Sequence, residues 1–260
     1  MGRAFSKLRG ELIPFALERR GVLAWLHPRV GPELSAAWLA APAKLVPADG
    51  AAETAAWRGR SSDPRWFVKR RVGRKGRRAL MRSFAMGLEL EDAGLSIPVH
   101  LAVLRAKSPS GADTTLLITE LLEGEDLDVA FRATTAEERD ALLANSARCV
   151  AELHTAGFRQ RDLKAPNLRV TRDGLVALVD LEGVARGAGP RRREKDLGRL
   201  AASFLALSEE EAWTRWVAVY VEARQALGSQ ELPVTELARR TLQRGIAKVA
   251  RNRAKGRVLR

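Results

Sequence analysis

The sequence predicts an α+β fold of two lobes, a small strand-rich lobe followed by a mainly helical, shortened one. Three observations carry that expectation. Short β-type runs broken by turn residues occupy the chain up to about Glu120. Helical patterning dominates from Thr135 onward. One helix interrupts the first texture, and one hairpin interrupts the second. A chain of 260 residues with 46% hydrophobic content is long enough to bury a substantial core, as one large domain or as two lobes. The expected division is residues 1–122 against residues 123–260.

Residues 1–42 mix short apolar pieces with Pro14, Pro28, Pro32 and Pro42 and give no clear pattern. Strand-like runs follow at Lys44–Val46, Thr54–Trp57 and Trp66–Lys69, separated by turn-rich stretches at Ala48–Gly50 and Gly59–Pro64. A helix is expected over Lys75–Ala93, because Leu80, Phe84, Leu88 and Glu91 share one stripe and Gly94 stands where a C-terminal cap belongs. Strands over His100–Arg105 and Thr115–Glu120 are joined by the turn Ser108-Pro109-Ser110-Gly111.

The helical texture opens at Thr135. Thr135 to Glu138 spells T-x-x-E, a capping box whose hydroxyl and carboxylate satisfy free N–H groups at a helix start. Leu142, Cys149, Val150 and Leu153 continue its apolar face to Gly157, so Cys149 reads as core rather than nucleophile. A hairpin of Leu168–Val170 and Leu175–Val179 turns at Thr171-Arg172-Asp173-Gly174. Helices are expected over Glu194–Leu207, Glu209–Leu227 and Val234–Lys255.

No apolar run approaches the roughly 20 residues that span a bilayer. The basic start, Met1–Gly10, lacks the apolar core of a secretory signal, and the lone Cys149 cannot form an internal disulfide. The cytoplasm is therefore the expected location. Lys plus Arg outnumber Asp plus Glu by 45 to 31, a net charge of +14 that suits an anionic partner. The positive charge is clustered. Arg70, Arg71, Arg74, Lys75, Arg77 and Arg78 crowd a helix start, where the helix dipole disfavours cations. From Arg239 to Arg260 there are nine basic residues and no acidic one. A cationic, amphipathic C-terminal helix bearing Arg244, Lys248, Arg251, Arg253, Lys255 and Arg257 suits anionic lipid headgroups, and a solvated tail is the plainer alternative. Nucleic acid is not an expected partner, because the basic clusters are not interleaved with aromatics that could stack on bases.

The chemistry concentrates in Gln160-Arg161-Asp162-Leu163-Lys164-Ala165-Pro166-Asn167, followed by the hairpin and then by Asp180-Leu181-Glu182-Gly183. Here the sequence resembles the protein-kinase-like superfamily, whose catalytic loop reads H-R-D-L-x-x-x-N and whose metal motif reads D-F-G. Asp162 and Asn167 stand five apart and Lys164 two after the Asp, as in that loop. The resemblance implies that Asp162 orients the acceptor hydroxyl and takes its proton. Lys164 would neutralise charge on the moving phosphoryl group, and Asn167 and Asp180 would offer oxygen ligands to Mg²⁺. Trp66-Phe67-Val68-Lys69 resembles the strand whose lysine grips the phosphates of ATP. Ile118-Thr119-Glu120-Leu121-Leu122 resembles the hinge whose backbone reads adenine, which places Glu120 and Leu122 at the nucleotide. Gln160 stands where the superfamily has His, and no G-x-G-x-x-G loop precedes Lys69. Both Glu89 and Glu91 are candidates to pair with that lysine.

Arg78 to Leu104, Val179-Asp180-Leu181-Glu182 and Lys195-Asp196-Leu197-Gly198-Arg199-Leu200 with Ser203 resemble more narrowly the lipopolysaccharide core kinases, the Kdo/WaaP family. That resemblance implies ATP and Mg²⁺ as cofactors and a sugar hydroxyl of a core glycolipid as acceptor. It also implies work at the inner face of the inner membrane, with Asp196 bracing the catalytic loop. Independently of it, only about eighty residues follow Asp180 and no A-P-E occurs, short for a lobe that docks protein substrates. Two further readings stand beside this one: a reduced Ser/Thr protein kinase, and a pseudokinase acting as a nucleotide-dependent or membrane-binding module.

Overall fold

The computed structural model describes residues 23–27, 29–30, 54–58, 65–107, 113–207, 209–230 and 232–256. Backbone contacts divide the chain into two compact units, Met1–Asp92 with Pro98–Leu121, and Ala93–Ile97 with Leu122–Arg260.

Among the described residues the first unit is built on five antiparallel strands: β1 (Leu23–Leu26), β2 (Thr54–Arg58), β3 (Arg65–Val72), β4 (His100–Lys107) and β5 (Asp113–Glu120), in the order β1-β4-β5-β3-β2. Helix α1 (Gly73–Asp92) follows β3 directly. Strand period decides how the core is shared. Ala102 and Leu104 of β4 and Leu116 and Ile118 of β5 join Trp66 and Val68 on one face. Val103 and Leu117, one residue out of phase, meet Leu80 and Phe84 of α1 on the other. β5 is consequently buried from Thr114 to Thr119, as a strand covered on both faces must be. His100 is buried within this unit and packs against Gly87 of α1. Burial pushes its imidazole down to about 4, although Nδ1 donates a hydrogen bond to the Pro98 carbonyl at 2.9 Å.

The expected strands at 54–57, 66–69, 100–105 and 115–120 lie within observed strands, and the helix expected over 75–93 is observed from Gly73 to Asp92. The run Lys44–Val46 and the turn at 108–111 lie outside the described residues. β1 is an addition in a region that gave no pattern. It pairs with β4, Leu23 opposite Arg105, so its existence depends on a partner far along the chain.

The second unit contains helices α2 (Leu127–Ala133), α3 (Ala136–Thr155), α4 (Pro190–Ala206), α5 (Glu210–Ala226) and α6 (Val234–Ala254). Between α3 and α4 lie β7 (Phe158–Gln160), β8 (Leu168–Thr171), β9 (Val176–Leu178) and β10 (Val184–Arg186), while β6 (Gly124–Asp126) precedes α2. β6, β8 and β9 form one antiparallel sheet, and β7 pairs with β10. The capping box at the start of α3 is complete: Glu138 N–H donates to Thr135 Oγ1 at 3.4 Å, and Thr135 N–H to Glu138 Oε2 at 2.9 Å. Gly157, at φ +84°, takes the left-handed conformation that ends α3.

A ladder of aromatic rings fills the core of this unit. Trp213 and Trp216 stack at 5.0 Å, and Trp216 stacks on Tyr220 at 5.6 Å. Each indole N–H finds a buried hydroxyl, Trp213 on Thr241 of α6 at 3.1 Å and Trp216 on Ser146 of α3 at 2.9 Å. α6 lies hard against α4. A Cβ added at Gly198 of α4 would fall 2.6 Å from the Cβ of Arg244. Cys149 is buried in this core and its thiol is pushed up to about 12, first by burial, so it is unreactive. Among the described residues no helix is long and apolar enough to cross a membrane.

Candidate active site

The central feature is one buried amide. Gln160, the last residue of β7, is 0% exposed. Its Oε1 accepts the N–H of Asp162 at 3.1 Å, and its Nε2 donates to the main-chain carbonyl of Asp180 at 2.9 Å. One side chain therefore ties the loop carrying Asp162 to the loop carrying Asp180. The neighbouring backbone repeats the link, because Arg161 N–H donates to the Gly183 carbonyl at 3.0 Å. Gly183 is required here, since a Cβ at this position would land on Gln160 Oε1.

Asn167 is fixed with equal care. It ends a 3₁₀ turn, Ala165–Asn167, which Pro166 helps to start. Its side-chain Nδ2 donates to the Asp162 carbonyl at 2.8 Å, and its main-chain carbonyl accepts Val179 N–H at 2.9 Å. That last bond holds Asn167 beside the residue that precedes Asp180. Asp180 itself adopts φ 55° and ψ 66°, and it is the only non-glycine residue with positive φ among those described. Asp tolerates this left-handed geometry better than most residues, yet it is sparsely populated and points to a constraint imposed by function.

Lys164 Nζ lies 3.2 Å from Asp162 Oδ2. The pair is more than one-third exposed on both sides, 35% and 55%, so its net stabilisation is slight and either partner can turn to a ligand. The loop is braced from α4 by Ser203, whose Oγ accepts Ala165 N–H at 3.1 Å. Asp196 does not take the bracing part expected of it. It is fully buried, accepts Arg199 Nη1 at 2.9 Å, and faces His154 Nε2 at 3.8 Å, beyond hydrogen-bond reach. Burial first of all holds the His154 imidazole below its ordinary range and so neutral, and its Nδ1 partners the Tyr220 hydroxyl at 2.9 Å.

In the first unit Lys69 sits on β3 opposite Leu117 of β5 and Thr54 of β2, half-buried. Of the two glutamates on α1, Glu91 is engaged by His27 at 3.0 Å and Arg29 at 3.3 Å. Glu120 closes β5, and its N–H donates to the Val99 carbonyl at 2.9 Å. Leu122, in the second unit, gives its carbonyl to Arg169 Nε at 3.3 Å, while its N–H has no partner among the described residues.

Asn167 and Asp180 supply only oxygen donors. With Nδ2 of Asn167 turned to Asp162, the amide oxygen is the end left for a cation. Hard oxygen donors suit Mg²⁺, which keeps waters and takes phosphate oxygens to complete its shell. Among the described residues no three His, Cys, Asp or Glu side chains gather that could hold a metal unaided. The pair thus fits a cation that arrives with a nucleotide's phosphates.

A family model described as the lipopolysaccharide kinase (Kdo/WaaP) family matches residues 57–220, well over half the chain. The chain belongs to that family. It is accordingly a kinase, and the family's assigned work is in lipopolysaccharide biosynthesis. A solved structure titled "WaaP in complex with acyl carrier protein" shares the fold, with a TM-score of 0.54 and 22% identity over 79% of this chain and 86% of that one. No curated protein matches significantly. The fold recurs in 1920 solved chains, so it says little about the acceptor.

The match spans Lys69, Glu120, Leu122, Asp162, Lys164, Asn167 and Asp180 and stops before α6. The structure brings Asp162, Lys164, Asn167 and Asp180 together in the second unit. Two cations of the expected membrane-facing helix are turned toward the protein: Arg244 Nη2 bonds Glu194 Oε2 at 3.1 Å, and Lys248 is half-buried beside Lys164. Arg251, Arg253 and Lys255 remain exposed, and Arg257 lies outside the described residues. Sequence reasoning missed the inward position of Lys248. The signal was present, since Thr241, Gly245 and Lys248 fall at helical spacing and the first two are buried.

Proposed function

We propose that this kinase transfers the γ-phosphoryl group of ATP to a sugar hydroxyl of a lipopolysaccharide-core glycolipid, with Asp162 as the base. The observation that supports the reading most directly is the Gln160 bridge, which fixes the Asp162 and Asp180 loops in register without using either carboxylate. Asp162 accepts the proton of the acceptor hydroxyl as its oxygen forms the new bond to phosphorus, and ADP leaves carrying the bridging oxygen. Lys164, now 3.2 Å from Asp162, turns to the transferring phosphoryl oxygens. Asn167 and Asp180 hold Mg²⁺, which when bound screens the charge of the phosphates. In the first unit Lys69 grips the α- and β-phosphates, with Glu89 as its partner because Glu91 is committed to His27 and Arg29. The main chain of Glu120 and Leu122 reads adenine. Exposed Arg251, Arg253 and Lys255 give peripheral contact with an anionic membrane on its cytoplasmic side.

The test is direct. Purified protein, labelled ATP and Mg²⁺ are incubated with core glycolipid, with a generic protein substrate and with neither. Label is expected in the glycolipid and to vanish on chelation. Label in the protein substrate alone would establish the protein-kinase reading instead, and nucleotide binding without label anywhere would establish the pseudokinase.

A further inference from the structure

Beside the catalytic loop the second unit opens a recess lined by Asp128 and Arg132 of α2, Lys164, Arg199 and Ser203 of α4, and Lys248 of α6. Three of its four cations already face a carboxylate: Lys164 meets Asp162 at 3.2 Å, Arg199 meets Asp196 at 2.9 Å, and Arg132 meets Asp128 at 3.6 Å. Lys248 is the exception. It makes no hydrogen bond or ion pair among the described residues, yet it is half-buried. Burial is the main cause that holds its ammonium below the ordinary lysine range. Asp162 opposes this, and the nearby charges of Arg199, Lys164 and Arg251 add to it. A cation kept partly out of water with other cations around it is stabilised when an anion enters.

The position of the recess says which anion. It touches Lys164 and Pro166 of the catalytic loop, but neither Asn167 nor Asp180 lines it, so it does not stand on the metal-binding side. Lys248 also senses the charge of Asp162, the residue that must face the accepting hydroxyl. An anion held here would belong to a molecule presenting its hydroxyl to Asp162. The helix that supplies Lys248 lies beyond the residues matched by the family model, which end at 220. The close approach of α6 to α4 at Gly198 is what brings it within reach.

We infer that the recess of Arg132, Arg199 and Lys248 is an acceptor subsite, which binds a phosphate or carboxylate group carried by the glycolipid near the hydroxyl to be phosphorylated. The inference rests on the proposed glycolipid-kinase reading and deepens it. Lys248 provides the anion's principal contact, and Arg132 and Arg199 orient it.

The experiment compares wild type, Lys248→Ala and Lys248→Gln on three acceptors: intact core glycolipid, the same material stripped of phosphate monoesters by hydrogen fluoride, and the same material with its carboxylates reduced. On intact acceptor both variants should lose about tenfold in kcat/KM, mainly through acceptor KM, which is the scale of one charge-assisted contact. On the acceptor lacking the recognised anion the loss should shrink below about twofold, and which treatment does this names phosphate or carboxylate. Equal losses on all three acceptors, or no loss on the intact one, would overturn the subsite. If wild type labels none of the three, the glycolipid reading itself has failed. The recess is then decided by amine acetylation read by mass spectrometry: inorganic phosphate or acetate should slow modification of Lys248 selectively, and no protection by either disproves an anion site.

Discussion

The two units position their chemical groups by different means. In the second unit Asp162, Asn167 and Asp180 are bound to one another within a few residues: Gln160 bridges two of the loops, the Asn167 side chain reaches the Asp162 carbonyl, and Val179 reports to Asn167. In the first unit Lys69 and Glu120 are placed by strand register, β3 against β5, with a hydrophobic layer on each face of the sheet. Polar bonds resist displacement by ångströms but fail singly, because each buried partner left behind is costly. A register is shared among many pairs, so it tolerates one loss, and it fails collectively when the core is disturbed. The groups of the second unit should therefore be lost at single polar atoms, and those of the first unit through its packing.

The largest effect expected is on Asp180. Asp180→Ala should lower kcat by about a thousandfold or more, the scale on which phosphoryl transfer depends on a placed charge. Asp180→Asn, which keeps a side chain suited to left-handed backbone, should show the same loss with normal thermal stability. If Asp180→Asn retains wild-type turnover at limiting Mg²⁺, the metal assignment is wrong.

Next in size comes the acid response of the first unit. The folded pKa of His100, about 4, lies below the unfolded value of 6.5, so the unfolded chain binds more protons between these limits. The stabilisation is fully present above pH 6.5 and is lost as pH falls toward 4, amounting to about 3 kcal/mol over the window. Urea unfolding at pH 7 and pH 4.5 measures it, and His100→Gln should flatten the dependence. An unchanged slope in that variant would show that other groups govern the acid response.

The Gln160 bridge should come third. Gln160→Leu removes both hydrogen bonds at once and should reduce kcat by about 10- to 100-fold while moving KM for ATP little, since its partners belong to the loops of Asp162 and Asp180, the proposed base and metal ligand. Gly183→Ala should reproduce that pattern by displacing the same amide. A KM-only effect in either variant would mean that the bridge serves stability rather than alignment. The smallest change expected is at Lys69, where Lys69→Ala should raise KM for ATP about tenfold with a lesser fall in kcat. Unchanged ATP kinetics would show that the nucleotide lysine lies elsewhere.

The sequence was most readable where a rule is local. The box at Thr135 and Glu138, the turn at Asp173-Gly174 and the D-x-K-x-x-N spacing each depend on residues a few positions apart, and each lies in the element or loop expected of it. It was least readable where the partner is distant. β1 exists only by pairing with β4, and β7 and β10 are three-residue strands with no pattern of their own to display. Ser203 could be associated with the site from its neighbourhood, but its bond to Ala165 N–H follows from how α4 packs. In the sequence Lys248 reads as one of a cationic run suited to anionic headgroups. Total charge along a helix does not tell which side carries it, whereas burial at Thr241 and Gly245 does.

The ladder of Trp213, Trp216 and Tyr220 gives the helical unit an optical signature of its own. Two indole rings 5.0 Å apart and only 9° from parallel couple their electronic transitions, and the coupling disappears once the rings separate or tumble. Trp213 is also hydrogen-bonded to Thr241 of α6, so the near-ultraviolet dichroism of this pair is sensitive to whether the C-terminal helix is seated. The same helix carries Lys248, which lines the recess beside Lys164, and the exposed Arg251, Arg253 and Lys255 proposed to meet a membrane. A shortened protein or one bound to vesicles can therefore be asked, by circular dichroism alone and without any substrate, whether α6 has left its place.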